Sequence, residues 1–547
     1  MMKKLFVYLL TAISSFAWAK DDCRDVNIAL LPGEKWWGGA GADGQFQPYS
    51  AEAKSRRIDL NTNGSTSSPL LVSTCGRYVW CEKPFVYRFE DGVLKIKARE
   101  NVALEQNTAG KTLKEAYLAA AAKHFRFKGK MPPEIMFSKP QWNNWIEIFL
   151  DGMTEKSAND YTRELAQSGY ECGIYMMDGG WMSHQGSYEF YGKDYPNPKE
   201  IFDLVRSNGW IPMIWTAHFV SPDSREYKKL RYHKALNGLD YLAYEKRHGS
   251  KNAGVVRWWS GISAVYDLTK PAARDYYIKE LKDFAARYGI AGFKFDAGDP
   301  HMFCDADIRF EDEKAEGVDY SRLYAELAAE EFPYNEIRVN WKCGGLPLAV
   351  RLPDRMHTWE HQRTVIPQII TAGLLGCPYS IADMVGGGME VSFKEVKFNG
   401  GKVDEKLVVR SAALHSLMPM MQFSLAPWRH LSPRGNELCK HFTAVRKEFV
   451  PYILECARHA SKTGEPIIRA MEYEFPNEKF SNSRSQFMLG DRYLVAPVMN
   501  ADDSITVELP RGLWRDDLGE EITGPKVLHL TGVPLERLPR YELIGGR

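Results

Sequence analysis

The chain has 547 residues, enough for two or three domains, and its 71 Lys and Arg against 70 Asp and Glu leave a net charge of +1. That balance offers no electrostatic footprint for a nucleic acid or an anionic membrane surface. A hydrophobic fraction of 44% can fill a large core, and 15 Trp suit either that core or the aromatic walls of a sugar cleft.

Residues 1–19 have the form of an export signal: basic Lys3 and Lys4, an apolar run, then Ala17-Trp18-Ala19 as a cleavage site. The apolar run is too short to span a bilayer, and no later segment reaches that length. The expectation is an exported protein, periplasmic or secreted, with no membrane association after signal removal. Nine cysteines leave at least one unpaired. Cys75 and Cys81 are close enough for a local bridge, whereas Cys172, Cys343 and Cys377 lie in or near apolar runs and read as buried thiols.

Residues 20–130 alternate apolar and polar positions in short runs divided by turns, the pattern of a β-sandwich, with a helical exit near its end. From 131 to 461 strand-like runs alternate with amphipathic helices, the signature of βαβ units. Eight strands are predicted, at 134–138, 173–178, 211–216, 292–296, 337–341, 355–359, 378–383 and 418–424. Eight such units match a (β/α)8 barrel with loop insertions, the largest at 220–268 after the third strand. Residues 462–547 return to short strands and read as a smaller β-sandwich. The fold class is α/β, a TIM barrel between two β-sandwiches.

In such a barrel the chemistry sits at the C-terminal ends of the strands. The fourth predicted strand ends in Phe293-Lys294-Phe295-Asp296, then Ala-Gly-Asp299-Pro. Alternation puts Lys294 and Asp296 on one face, where a cation favours the ionised carboxylate. Asp296 is thereby a candidate nucleophile; an ordinary buried Lys–Asp pair is the alternative. Asp178, Trp181, Trp215, His218 and Asp383 stand at or just past other strand ends, and Pro427-Trp428-Arg429-His430 follows the eighth. Acidic groups and aromatic rings around one mouth describe a sugar pocket, and two carboxylates flanking one bond point to glycoside hydrolysis.

Asp354, just before the sixth predicted strand, is the candidate general acid. That role needs a raised pKa, and the flanking Arg351 and Arg355 oppose it if either pairs with it. His357-Thr-Trp-Glu360-His361 matches an inverted zinc-protease motif, but at a strand-to-helix junction the two His do not share a helix face. The acidic loop 305–313 is a second conceivable cation site, with a solvated loop as the alternative.

These segments resemble glycoside hydrolase family 31. Phe293-Lys294-Phe295-Asp296-Ala-Gly-Asp299 is similar to its nucleophile segment, with Asp299 where the family has Glu. Asp354, Trp359-Glu360, Gly376-Cys-Pro378 and Ala382-Asp383 follow the order of its acid/base segment, with Pro353-Asp354-Arg355 in place of Gly-Asp-Asn. Phe487-Met-Leu-Gly-Asp491 and Leu494-Val-Ala-Pro-Val498 resemble its C-terminal domain. Arg257-Trp258-Trp259-Ser-Gly261, Arg351-Leu-Pro-Asp-Arg355 and Asp383-Met-Val-Gly-Gly387 resemble the branch of myogenesis-regulating glycosidase and bacterial α-galactosidases.

The resemblance implies a retaining exo-α-galactosidase for small oligosaccharides or glycosides, with Asp296 as nucleophile and Asp354 as acid/base. Family 31 α-glucosidase or α-xylosidase activity, or a catalytically idle sugar-binding homologue, are the alternatives. No metal or cofactor is implied, and the partner is a small carbohydrate. Asp178, Trp181, Trp215, Trp259, Lys294, Arg351 and Asp383 are the candidates for holding the terminal sugar, with Trp258 and Trp259 not separable. Catalytic carboxyls ~5–5.5 Å apart are expected of a retaining enzyme.

Overall fold

The computed structural model describes residues 23–546 except 248, 305, 482 and 483; residues 1–19, expected to be an export signal, lie outside the described residues. Eight parallel strands close into a barrel: β1 (Gln141–Asn143), β2 (Ile174–Met177), β3 (Ile211–Thr216), β4 (Gly292–Phe295), β5 (Tyr334–Ile337), β6 (Val350–Arg351), β7 (Ser380–Val385) and β8 (Met420–Phe423), with β8 pairing back to β1. Apolar side chains pack the outer face under the helices, while the interior also holds buried polar residues, among them Lys294, Glu336, Arg351 and Gln422.

Three strands depart from the sequence expectation. Residues 134–138 hold a short helix, Ile135–Ser138, and β1 begins after Pro140. Its buried Met136 and Phe137 explain the misreading, because a short apolar run has no period to distinguish helix from strand. The run 337–341 splits: Ile337 ends β5, while Asn340–Trp341 leaves the barrel and pairs with Thr66 and Ser67 of the N-terminal domain. The sixth strand is Val350–Arg351, not 355–359, so Asp354 follows β6 instead of preceding it. Pro353 has no N–H to continue the ladder, and the predicted stretch is a loop leading to the helix Trp359–Gln362, capped by the Thr358 hydroxyl.

In the N-terminal domain two sheets face each other across a shared core containing Ile28, Leu71, Val79, Leu94 and Ile96. Cys75 and Cys81 are both free thiols, so the local bridge is not formed. After β3 the insertion builds its own three-stranded sheet from Phe219–Val220, Val255–Trp258 and Gly261–Val265. The helix Pro433–Thr463 leads to the C-terminal domain, a six-stranded antiparallel sheet. Its longest strand, Ile505–Asp516, shifts register between Leu509 and Gly512, where Pro510 interrupts the ladder.

Candidate active site

Register aligns Trp215, Lys294 and Glu336 across β3, β4 and β5, so three polar or aromatic side chains form one layer of the barrel interior. Lys294 Nζ lies 2.5 Å from Asp178 Oδ2, just past β2. Asn143 Nδ2 donates to the same oxygen at 2.6 Å, and the Gly179 N–H to Oδ1 at 2.7 Å. The expected Lys294–Asp296 pair is therefore replaced by Lys294–Asp178, and Lys294 reaches Asp296 only as a nearby charge. Burial works against the Lys294 ammonium, yet Asp178 raises its pKa overall.

Asp296 leaves β4 through a tight turn. Ala297 and Gly298 have φ of 60° and 84°, a left-handed pair that is uncommon for a non-glycine residue and marks a constrained site. The turn brings the Ala297 N–H back to Asp296 Oδ1 at 2.9 Å, while Trp215 Nε1 donates to Oδ2 at 2.8 Å. Gly298 is required here, because a Cβ would fall 2.8 Å from His218 Cε1. Burial pushes the Asp296 pKa up, but Arg338, Lys294, Arg351 and the Trp215 hydrogen bond together bring it to about 2.

Arg338, just past β5, connects the carboxylates. Its Nη1 lies 3.6 Å from Asp296 Oδ1 and 3.5 Å from Asp354 Oδ2, and its Nε 3.7 Å from Asp299 Oδ2. Two carboxylates sharing one guanidinium nitrogen stand at the same mouth of the barrel. Asp299, the departure from the family pattern, is buried against Gly64 of the N-terminal domain and still reaches this guanidinium. Arg338 and Glu336 were not singled out from the sequence. Their signal was two charged residues at strand period in Asn335-Glu336-Ile337-Arg338, which places both on one face. Glu336 sits beneath the site between Arg351 Nε at 3.1 Å and Gln422 Nε2 at 2.8 Å, its pKa raised by burial.

Arg351, at the end of β6, pairs through Nη1 with Asp354 and lies 3.5 Å from Asp383 Oδ1. Burial raises the Asp354 pKa, but Arg351 and Arg338 outweigh it and hold the carboxyl below its usual range. Asp383 behaves oppositely: burial and the neighbouring Asp354 charge push it up to about 6.

Several sequence candidates take other roles. Trp181 is fully buried, donates to the Trp215 carbonyl at 3.1 Å and stacks on Phe284, so its ring supports the wall from behind. Asp383 is also fully buried, with φ of 63°. It accepts from the N–H groups of Arg355 and Gly388 at 2.9 and 3.0 Å, tying down the loop that carries Asp354. Both are too deep to be the sugar contacts expected of them. His218 packs among Phe219, Tyr320 and Tyr324, and burial lowers its pKa to about 3. Trp258 and Trp259 separate cleanly: Trp258 is buried with Nε1 on Ser263 at 3.0 Å, while Trp259 is exposed over Arg338, 4.9 Å from ring centroid to guanidinium.

In the zinc-like motif both ring nitrogens of His357 are engaged, Nδ1 by the Gly386 carbonyl at 2.8 Å and Nε2 by the Asp404 N–H at 2.9 Å. That histidine has no nitrogen left for a metal. In the acidic loop, Asp307 and Asp312 accept from the backbone N–H groups of Lys246 and Lys314.

Residues 130–336 match the Glycosyl hydrolases family 31 TIM-barrel domain, and residues 464–542 the Glycosyl hydrolase family 31 C-terminal domain. Myogenesis-regulating glycosidase of Mus musculus is 27% identical, over 94% of this chain and 75% of its own length. The 1,3-alpha-isomaltosidase of Kribbella flavida is 25% identical over 67% of this chain, which spans 53% of that relative. The family 31 dextranase of Flavobacterium johnsoniae superposes with a TM-score of 0.79 at 18% identity, covering 95% of this chain and 66% of the dextranase. The first match takes in the strands from β1 to β5 and Asp296, the second the C-terminal domain, and the chain belongs to glycoside hydrolase family 31.

Proposed function

We propose that the chain is a retaining exo-α-glycosidase in which Asp296 attacks the anomeric carbon and Asp354 serves as acid and base. The observation carrying this reading is the pair of strand-end carboxylates joined by Arg338, one of them held ionised. In the first step Asp296 bonds to C1, the glycosidic C–O bond breaks, and the Asp354 proton passes to the leaving oxygen. In the second step Asp354 takes a proton from water, whose oxygen bonds to C1 and releases Asp296 with the configuration retained. Asp178 and Lys294 form the charged floor under the terminal sugar, and Trp215 holds the Asp296 carboxylate in line.

Asp354 must carry a proton at the first step, and its contacts with Arg351 and Arg338 oppose that in the empty site. A bound sugar that draws Arg338 away from Asp354 would weaken this contact and favour the protonated form. First-step activity should therefore rise as pH falls through the ordinary carboxylate range.

The terminal sugar we propose is α-galactose, on the likeness of Arg257-Trp258-Trp259, Arg351-Leu-Pro-Asp-Arg355 and Asp383-Met-Val-Gly-Gly387 to the α-galactosidase branch. A second reading, an α-glucosyl substrate with α-xylosyl as its variant, is favoured on the glucosyl side by the 1,3-alpha-isomaltosidase among the similar proteins. Turnover of 4-nitrophenyl α-galactoside, α-glucoside and α-xyloside, with Asp296→Asn as control, separates them. Galactoside turnover lost in the variant supports the first reading. Turnover of none of the three, with sugar binding intact in both proteins, would leave the idle binder.

A further inference from the structure

Exposure rises in steps along the chain of contacts through the site. The Lys294 and Asp178 side chains are 5% exposed, Asp296 11%, Asp354 25% and Arg338 27%. Trp259, whose ring covers the Arg338 guanidinium, is 51% exposed. The floor is charged and closed; the rim is aromatic and open. A terminal sugar attacked by Asp296 occupies the floor, and the group expelled past Asp354 leaves towards the rim.

Trp259 is held at that rim by construction. Val255–Trp258 and Gly261–Val265 form a hairpin in which Trp258 pairs with Gly261. Trp258 turns inward, its ring edge-on to Phe219 at 4.8 Å, and anchors the hairpin to the insertion. Trp259 and Ile262 remain outside, both about half exposed. Trp259, left in solvent over the guanidinium that the carboxylates share, puts an apolar ring face next to a polar mouth.

Building on the glycosidase reading, we propose that Trp259 is not part of the terminal-sugar site but the stacking platform for the leaving group. It would take a leaving group that presents a ring face, either an aryl aglycone or the C–H face of a second sugar. Substrate specificity on the leaving-group side then lies in the insertion after β3, and the terminal-sugar specificity in the barrel floor.

The test compares glycosyl fluoride, which has no ring to expel, with the 4-nitrophenyl glycoside and a disaccharide of the same terminal sugar. Wild type, Trp259→Ala and Trp259→Phe are assayed for kcat/KM. The expected result is a loss in Trp259→Ala of about tenfold for ring-bearing substrates relative to the fluoride, carried mainly by KM and partly restored by Phe. A larger loss on the nitrophenyl substrate assigns the platform to aryl aglycones, and a larger loss on the disaccharide to a second sugar. An equal loss on all three substrates in both variants, or no loss on any, overturns the proposal. Failure of wild type to turn over the fluoride would instead sink the glycosidase reading on which it rests.

Discussion

Asp296 and Asp383 look alike in the sequence: each reads as the end of a barrel strand, and glycine follows within three residues. The structure sends them in opposite directions. Asp296 faces Arg338 and accepts from Trp215, and these contacts outweigh burial, leaving it ionised down to about 2. Asp383 is buried deeper, and the guanidinium nearest to it, on Arg351, lies closer to Asp354; it holds its proton up to about 6. A strand-end carboxylate is therefore a position and not yet a role. The cation it shares, and with whom, decides whether it attacks or supports.

The largest expected effect separates the two directly. Asp296→Asn should lower kcat/KM by about 10⁴-fold or more with little change in Tm. Asp383→Asn keeps an acceptor for the Arg355 and Gly388 N–H groups and should cost far less activity; equal losses from the two would erase the distinction. Next comes Asp354→Asn, expected to slow substrates with poor leaving groups by about 10²- to 10⁴-fold and the 4-nitrophenyl glycoside much less, since that leaving group departs without a proton. A uniform loss across leaving groups would count against Asp354 as the acid.

Arg338→Met sharpens the comparison through pH. Removing a cation that lowers both Asp296 and Asp354 raises both pKa values, so both limbs of the kcat/KM profile should move up by about one pH unit. Asp383 has no ion pair with Arg338 and should respond only through the Asp354 charge beside it. An unmoved profile would show that Arg338 does not set either charge.

The smallest effect concerns stability. Asp383 holds its proton more tightly folded than unfolded, so as pH rises through the ordinary carboxylate range the unfolded chain releases that proton first. Stability falls from there until about 6, where the folded state ionises too. Asp296 has the reverse sign: its contribution is present above the ordinary carboxylate range and is lost as pH falls towards about 2. Asp383→Asn should flatten the first slope and leave the second, as read from denaturant midpoints across pH.

The alternation of strand and helix patterns determined the barrel, because a period of two or of 3.6 is written locally in the chain. It also placed Asp296 at a strand end and Asp354 near the sixth strand. It missed β1 and misplaced β6, where runs of two or three residues carry no period and the closing of the barrel supplies the ladder partners. Trp258 and Trp259, adjacent and identical, were separated only by the hairpin that buries one and presents the other. Arg338 acquired its role only when the end of β5 came between β4 and the loop after β6. Charge sharing among Asp296, Asp299 and Asp354 depends on distances of a few ångströms between residues far apart in the chain, and such distances exist only once the barrel has closed.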